Sequence, residues 1–310
     1  MPSKIKSIYK AFGLTISSEI HLPELTQIGD VGIVTDVVIE QGNLRTLWPE
    51  NSEEDFIINE NWILFKIPQT ALFLIQKGNK IVVSPMNGSD EDQIRLLLLG
   101  TCMGAILLQR KILPLHGSAI AIDGKAYAIV GDSGAGKSTL ASSFLKKGYQ
   151  LLSDDVIPIT LNHANVPIVK PAYPQQKLWL ESLNHFEMES TNYQPLFVRE
   201  TKFAVPVESQ FATEPFPLAG IFELVKVDCQ EIDIQPIEKM QRFYKLYTHT
   251  YRNFFIQRAG LMEWHFDLSS KMMNKIDFHQ ISRPNTRFTA NDLAELILTT
   301  LKLEETIHGY

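Results

Sequence analysis

A glycine-rich segment in the middle of the chain has the residue types that bind polyphosphate. It fits the pattern GxxxxGK[ST] in full and reads Gly131, Asp132, Ser133, Gly134, Ala135, Gly136, Lys137 and Ser138. Glycines let backbone N–H groups converge on an anion without Cβ clashes, and the dipole of a following helix favours negative charge. The pattern predicts that Lys137 reaches the β- and γ-phosphates of ATP, that Ser138 binds Mg²⁺ and that Thr139 is a further nucleotide contact. The alternative is a glycine-rich turn that matches by accident.

Two adjacent carboxylates, Asp154 and Asp155, follow an apolar run at residues 149–152. If that run is a strand, both side chains emerge at the carboxyl edge of the sheet, where open α/β sheets bind ligands. We assign Asp154 as a Mg²⁺ ligand and Asp155 as the base that orients an attacking hydroxyl and accepts its proton. A solvated turn or a helix cap is the alternative for this pair.

His116, followed by Gly117, stands just before the strands that lead into the glycine-rich loop. A lone histidine is more often a hydrogen-bonded packing residue than a catalytic group. Its spacing alone therefore leaves both interpretations open.

The segments around these residues form a strand–loop–helix–strand unit, which is typical of α/β nucleotide-binding proteins. The apolar run at residues 126–130 enters the loop, residues 139–147 are compatible with a helix that ends at Gly148, and residues 149–152 form the next strand. After Pro158, prolines divide the chain into loops and short strands. Further elements are expected as strands at 221–227 and 231–235, a helical segment at 241–255 and an amphipathic helix at 291–302.

The first 88 residues have a different pattern. Hairpin signals join residues 56–58 to 62–65 and residues 72–76 to 80–84, which predicts an antiparallel, β-rich region. A buried helix then begins at a capping signal near Asp90 and ends before Lys111. We therefore predict an α/β fold, α+β overall, with a β-rich domain at 1–88 before a P-loop catalytic domain at 89–310.

Composition excludes several other classes of protein. The formal net charge is −6, so no overall positive field is available to attract a nucleic acid. Two distant cysteines, Cys102 and Cys229, supply neither a disulfide framework nor a zinc site. The N-terminus lacks a signal-peptide pattern, and the apolar stretch at 96–109 is too short to cross a membrane, so we expect a cytoplasmic protein without a membrane partner.

The stretch from His116 to Ile157 resembles the catalytic domain of the bacterial HPr kinase/phosphorylase family. That family shares the His-Gly pair, the loop of the form GxSGxGKS, a helix that ends in a basic residue and glycine, and the Asp-Asp pair. The resemblance implies a P-loop kinase in which Lys137 binds phosphate, Ser138 binds Mg²⁺, Asp155 is the base toward a substrate serine and His116 is an accessory catalytic residue. It also implies assembly as a homo-oligomer.

The sequence departs from that family in one motif. The family has a glutamate within an Arg-Gly-x-Glu type of segment that supplies a second Mg²⁺ contact, and no such segment occurs here. Glu181 lies at a comparable interval past Asp155 but in the different context Lys177-Leu178-Trp179-Leu180-Glu181. Glu181 is therefore the candidate for the second metal contact.

Less specific motifs resemble HPr-kinase-related proteins of peptide-modification clusters, of which lasso-peptide precursor kinases are the best known. These motifs lie at residues 9–14, 18–25, 173–179 and 217–221. The resemblance implies phosphate transfer to the C-terminal serine of a precursor peptide. Phosphorylation of HPr itself, a non-catalytic nucleotide switch or ATPase, and a kinase for a small metabolite are the alternatives. Residues 242–258, rich in aromatic and basic side chains, are a candidate acceptor region, although core packing explains their pattern equally well.

Overall fold

We describe a computed structural model of the chain at residues 6–29, 32–49, 54–196 and 199–308. Its N-terminal region is an eight-stranded sheet with the strand order β3-β1-β2-β4-β8-β7-β6-β5. The strands are β1 (Ser7–Ala11), β2 (Leu14–Ser18), β3 (Thr26–Ile28), β4 (Val37–Gln41), β5 (Phe56–Ile58), β6 (Trp62–Ile67), β7 (Ala71–Gln76) and β8 (Lys80–Pro85). Both predicted hairpins are confirmed, as β5–β6 and β7–β8. The antiparallel expectation is wrong for β4, which pairs parallel with β2 and β8, because no hairpin turn joins it to either strand.

The helical segment after this sheet has an interruption. It consists of α1 (Glu91–Leu97), one π-helical turn (Leu98–Cys102) and α2 (Met103–Gln109). The predicted start is confirmed, since Asp90 Oδ1 accepts hydrogen bonds from the backbone N–H groups of the first helical turn. Its apolar residues share one core with Phe65 and Phe73 of the N-terminal sheet. The segment therefore packs against the N-terminal sheet and, in the same core, against Val156 of the second sheet, and the domain boundary at residue 88 stays a prediction.

The second sheet has seven strands and carries the glycine-rich loop. Its order is β10-β9-β11-β12-β16-β18-β17, and β10 also pairs parallel with β16. The strands are β9 (Leu113–Ile122), β10 (Lys125–Val130), β11 (Gln150–Leu161), β12 (Pro167–Val169), β16 (Phe216–Val227), β17 (Asp233–Pro236) and β18 (Asp277–Pro284). Because β10 contacts both β9 and β16, five of these strands close into a ring. The loop emerges from the β10 member of that ring.

Helices cover both faces of this sheet. The helix predicted after the loop is confirmed as α3 (Lys137–Lys146), and it packs through Leu140 and Phe144 on one face. The C-terminal helix is confirmed as α8 (Ala290–His308), which contacts the same core. On the other face lie α5 (Lys239–His249) and α7 (Met262–Met272). The sequence pattern predicted one helical segment at 241–255, but α5 ends at His249 and α6 (Phe254–Arg258) begins after a non-helical connection.

The acidic pair does not lie at a strand end, which corrects the sequence-based expectation. β11 continues through Asp154 and Asp155 to Leu161 and pairs antiparallel with β9. The apolar pattern from Val156 onward extends the strand. The pairing register shifts between Leu151 and Ser153, and Asp155 has a φ of 80°, in the left-handed region. The strand therefore tolerates two carboxylates because its backbone is locally irregular and its acids have specific partners.

A three-stranded sheet lies next to the glycine-rich loop and contributes residues to the cavity there. Its order is β13-β15-β14, and its strands are β13 (Gln175–Trp179), β14 (Gln194–Leu196) and β15 (Arg199–Pro206). The short helix α4 (Leu180–His185) follows β13 directly. Within the described ranges, no helix is long and apolar enough to cross a membrane.

Candidate active site

The glycine-rich loop adopts a conformation that requires its glycines. Gly131 has a φ of 145°, and a Cβ at this position would lie 2.4 Å from the Leu224 carbonyl oxygen. Gly136, which has a φ of 105°, is the N-cap residue of α3. Any side chain at Gly131 would clash with backbone. The loop therefore has the turn between a buried strand and a helix N-terminus that phosphate binding needs.

The amine of Lys137 is folded back onto this loop. Its Nζ atom donates hydrogen bonds to the carbonyl oxygens of Gly131, at 2.8 Å, and Asp132, at 3.0 Å. Burial lowers the pKa of this amine, and the carboxylates of Asp154 and Asp155 oppose that shift. Phosphate oxygens are stronger acceptors for a charged amine than neutral carbonyls, so Lys137 can exchange these partners for a bound polyphosphate.

Asp154 connects the end of the loop to the neighbouring strands. Its Oδ1 atom accepts hydrogen bonds from the hydroxyls of Ser118, at 2.5 Å, and Ser138, at 2.9 Å. Its Oδ2 atom accepts one from the Lys177 backbone N–H at 2.8 Å. The structure therefore brings together Ser138 and Asp154, the first two metal ligands predicted from the sequence.

This pair fits a magnesium ion by its chemistry. Mg²⁺ usually takes one or two protein oxygen ligands and completes its shell with phosphate oxygens and water. A serine hydroxyl next to a buried carboxylate, at the N-terminus of the phosphate-binding helix, is such a donor set. Among the described residues, no three or more His, Cys, Asp or Glu side chains form a complete metal cage.

Asp155 follows Asp154 in β11, and two basic side chains, Lys177 and His116, contact it. Its Oδ2 atom accepts a hydrogen bond from Lys177 Nζ at 2.7 Å. On the other side, His116 Nδ1 lies 3.1 Å from the Asp155 carbonyl oxygen and 3.4 Å from its Oδ1 atom. Burial alone would raise the pKa of Asp155, but the Lys177 ammonium and the hydrogen bond with His116 outweigh it and hold that pKa well below its usual range. Asp155 is therefore a fixed, ionised carboxylate.

Sequence reasoning missed Lys177, which contacts both carboxylates. Its backbone N–H bonds Asp154 and its ammonium bonds Asp155, while its side chain is only 7% exposed. Burial would lower the pKa of this ammonium, but Asp155 more than compensates and raises it above its ordinary value. The signal in the sequence was one lysine within a short strand next to Leu178 and Trp179. That pattern is too common to indicate a site.

Tyr251, which belongs to the candidate acceptor region at 242–258, lies between the π-helical turn and the strand of His116. Its backbone N–H donates to the Pro114 carbonyl oxygen at 2.8 Å, and its ring centroid lies 5.6 Å from that of His116. A Cβ at Gly104 would lie 2.7 Å from the tyrosine ring, and one at Gly100 would lie 2.9 Å from its hydroxyl. Burial raises the pKa of Tyr251 to about 12. The two glycines therefore leave the space that this ring occupies next to the site.

These groups line one cavity of about 580 Å³. Its phosphate-binding end consists of Ser133, Gly134, Gly136, Lys137, Ser138 and Thr139. Its other end includes His116, Asp155, Lys177, Thr101, Tyr251 and Arg252. Of the loop residues predicted to bind nucleotide, Gly131, Asp132 and Ala135 do not line the cavity. The volume is typical of a small-molecule site.

Glu181 and two residues of the candidate acceptor region, Arg242 and Arg258, lie outside this cavity. Glu181 is exposed on α4, in a neighbouring recess with Arg283, and the structure does not bring it together with Ser138 and Asp154. Its role as a metal ligand stays a prediction. Arg242 donates to the carbonyl oxygens of Ile237, Met273 and Ile276, and Arg258 pairs with Glu54. From the candidate acceptor region, only residues 248 and 250–253 reach the cavity.

Comparisons with known proteins give a distant relationship. No protein-family model matches the chain. The HPr kinase/phosphorylase of Lactobacillus johnsonii is 28% identical over 101 residues, which is 30% of this chain and 32% of that protein. The same enzyme of Mycoplasmopsis pulmonis is 39% identical over 64 residues, or 20% of this chain and 21% of that protein. These matches span at most about a third of the length of the curated relatives.

A solved structure is also similar. The HPr(Ser) kinase/phosphatase of Coxiella burnetii matches 64% of this chain and 99% of its own, with 16% identity and a TM-score of 0.34. The sequence matches show that this chain is distantly related to HPr kinase/phosphorylases over about a third of its length.

Proposed function

We propose that the protein is a kinase that transfers the γ-phosphoryl group of ATP to a serine hydroxyl. One observation carries this proposal: the glycine-rich loop and the Asp155 carboxylate open into the same cavity. Polyphosphate held by the loop would end near a fixed carboxylate, with room between them for an alcohol. The distant relatives are serine kinases, which supports the same reaction class.

The reaction needs little covalent chemistry from the protein. The serine Oγ forms a bond to the γ-phosphorus, the bond from that phosphorus to the bridging oxygen breaks, ADP leaves, and the hydroxyl proton passes to Asp155. Asp155 is a weak base because Lys177 stabilises its ionised form. In a loose transition state the position of the hydroxyl matters more than base strength, so a fixed carboxylate suits the task.

The remaining groups bind and orient the phosphates. Lys137 would leave its carbonyl partners for the β- and γ-phosphates, and the backbone N–H groups of the loop would hold the rest of the chain of phosphates. Ser138 and Asp154 would hold Mg²⁺, which neutralises charge on the phosphate oxygens. We propose that His116 is an accessory group, since its Nδ1 atom holds the backbone and side chain of Asp155 in place.

We propose that the acceptor is a peptide, and specifically the C-terminal serine of a lasso-peptide precursor. The four outlying sequence motifs support this choice, and Arg252 on the wall of the acceptor end offers a positive charge to the terminal carboxylate of such a peptide. The serine of HPr is the second candidate, because the curated relatives are HPr kinases. We propose that the reaction takes place in the cytoplasm.

The test compares acceptors directly. The protein is incubated with radiolabelled ATP and Mg²⁺ and with one of three acceptors: a peptide that ends in serine, the same peptide ending in alanine, or HPr. Label in the serine peptide alone supports the proposal, and label in HPr alone favours the second candidate. Phosphate released to water with no labelled acceptor would favour a plain ATPase or nucleotide switch and would contradict the kinase assignment.

A further inference from the structure

A second recess lies next to the glycine-rich loop. Its volume is about 330 Å³, and it shares the wall residues Gly134, Gly136, Thr139 and Trp179 with the catalytic cavity. Asp154, Asp155 and Lys177 line the catalytic cavity and do not line this recess. The loop therefore lies between two spaces, and the Asp155 carboxylate that we assign as the base lines only one of them.

The direction of a bound triphosphate follows from this arrangement. The terminal phosphate must lie toward Asp155, so the rest of the nucleotide must leave the loop elsewhere. Thr139 lines both spaces, and its Oγ1 atom lies 2.7 Å from the hydroxyl of Ser182 in α4. The first turn of α3 thus connects the phosphate-binding loop to the wall of the second recess.

The second recess has an aromatic wall. The rings of His185 and Phe288 stack with a centroid distance of 4.0 Å and an interplanar angle of 21°. Phe186 packs against Phe288 in a T-shaped arrangement with a centroid distance of 5.7 Å. His185 is exposed and Phe288 is half-buried, so ring surface remains for a planar ligand.

One arginine joins this wall to the loop. Arg283, at the end of β18, donates from Nε to the Ala135 carbonyl oxygen at 2.8 Å. The chain from Arg283 to Phe288 then forms one side of the recess. The aromatic wall is consequently held at a fixed position relative to the phosphate-binding loop.

We propose that this recess binds the base and ribose of the nucleotide, with the base stacked against the wall formed by His185 and Phe288. The assignment rests on the proposed function for the direction of the phosphates. Stacking on an aromatic ring accepts any base, since every base presents a π-face. The recess therefore supplies affinity for a nucleoside triphosphate that a bare polyphosphate lacks.

The test separates the base from the phosphates. Calorimetry with Mg²⁺ measures the binding of ATP and of inorganic tripolyphosphate to the full chain, to Phe288→Ala and to His185→Ala. We expect wild-type protein to bind ATP more tightly than tripolyphosphate. Phe288→Ala should weaken ATP about tenfold, from the usual contribution of one stacked base, while tripolyphosphate binding changes less than about twofold.

The controls test folding and ring loss in general. Phe266→Ala removes another stacked aromatic, on α7 and outside both spaces, and should change neither affinity. His185→Ala is a second variant at an exposed position, where misfolding is not expected. Phe288→Tyr keeps the ring face and should retain ATP affinity.

The outcomes distinguish this inference from the proposed function. Unchanged ATP affinity in Phe288→Ala and His185→Ala, or an equal loss of ATP and tripolyphosphate binding, would overturn the nucleoside recess. If wild-type protein binds neither ligand, the kinase assignment fails and the recess fails with it. If it binds ATP with the expected ring dependence but labels no serine, the recess stands and the acceptor assignment fails.

Discussion

The two ends of the catalytic cavity are built in different ways. The phosphate-binding end comes from one continuous segment of chain, between Ser133 and Thr139, whose shape depends on local glycine conformations. The acceptor end is assembled from side chains of separate elements: His116 on β9, Asp155 on β11, Lys177 on β13 and Tyr251 after α5. One end therefore depends on local chain geometry, and the other depends on the packing of the whole protein.

Replacing Asp155 should have the most unequal effect on the two ends, because it should slow phosphoryl transfer strongly and change ATP binding little. Asp155→Asn keeps the shape but removes the proton acceptor and the charge that holds Lys177. We expect the rate of phosphoryl transfer to fall by about a thousandfold, within the usual range for general-base loss, while ATP affinity changes less than about threefold. Transfer assays and calorimetry measure the two quantities. A variant that retains full transfer would contradict the role of Asp155.

Replacing Lys177 should give a smaller loss at the same end. Lys177→Met leaves the half-buried Asp155 carboxylate without its ammonium partner, so we expect about a hundredfold slower transfer and a loss of about 2 kcal/mol in the free energy of unfolding. Lys177→Arg should retain part of the transfer rate and part of the free energy of unfolding. In the Asp155→Asn background, Lys177→Met should have little further effect on transfer. Equal effects in both backgrounds would mean that Lys177 acts without Asp155.

A steric change should displace Tyr251 and leave the loop intact. Gly104→Ala places a Cβ within 2.7 Å of the tyrosine ring, so the ring or the helical turn must shift. Overpacking of this kind costs about 1–3 kcal/mol, and we expect about tenfold slower transfer with unchanged ATP affinity. Gly29→Ala is the matched control, since no atom lies within 4 Å of its Cβ position. Unchanged transfer in Gly104→Ala would show that Tyr251 does not shape the acceptor end.

The smallest effect on the acceptor end is expected at Glu223, which supports the helix that precedes Tyr251. Glu223 on β16 accepts hydrogen bonds from Lys245, His249 and Gln280, two of which lie on α5 just before Tyr251. Burial would raise the pKa of Glu223, but these bonds lower it to about 2. Its contribution to stability is therefore complete above about pH 4.5 and is lost as the pH falls toward 2.

The measurement is the difference in unfolding free energy between wild type and Glu223→Gln. We expect the wild type to be more stable by about 2–3 kcal/mol at pH 7 and the difference to shrink steadily below pH 4.5. A difference that is constant between pH 7 and pH 3 would contradict the lowered pKa. Urea unfolding followed by fluorescence gives both values.

The same contrast explains which features could be predicted from the sequence. The loop, α3, the β5–β6 and β7–β8 hairpins and the start of the helix at Asp90 all depend on neighbours in the chain, and they were found. Lys177 acts through residues far away in sequence, so no local pattern marked it. The aromatic and basic pattern at 242–258 indicated the region of Tyr251 but not the residue itself. The sequence indicated the Asp154-Asp155 pair as candidate site residues, but we expected them at a strand end. A register shift and a positive φ leave no trace in hydrophobic periodicity, so their place inside β11 could not be predicted.

The helical segment from Glu91 to Gln109 has a consequence for any attempt to shorten the protein. Its apolar side is covered by the N-terminal sheet, while Thr101 in its π-helical turn forms part of the catalytic cavity wall. A fragment cut at residue 88 would keep every group assigned to catalysis and yet present a bare hydrophobic surface to water. Such a fragment would aggregate, or its helical segment would move and change one wall of the cavity. The smallest active unit therefore includes the N-terminal sheet, although none of its described residues lines the cavity.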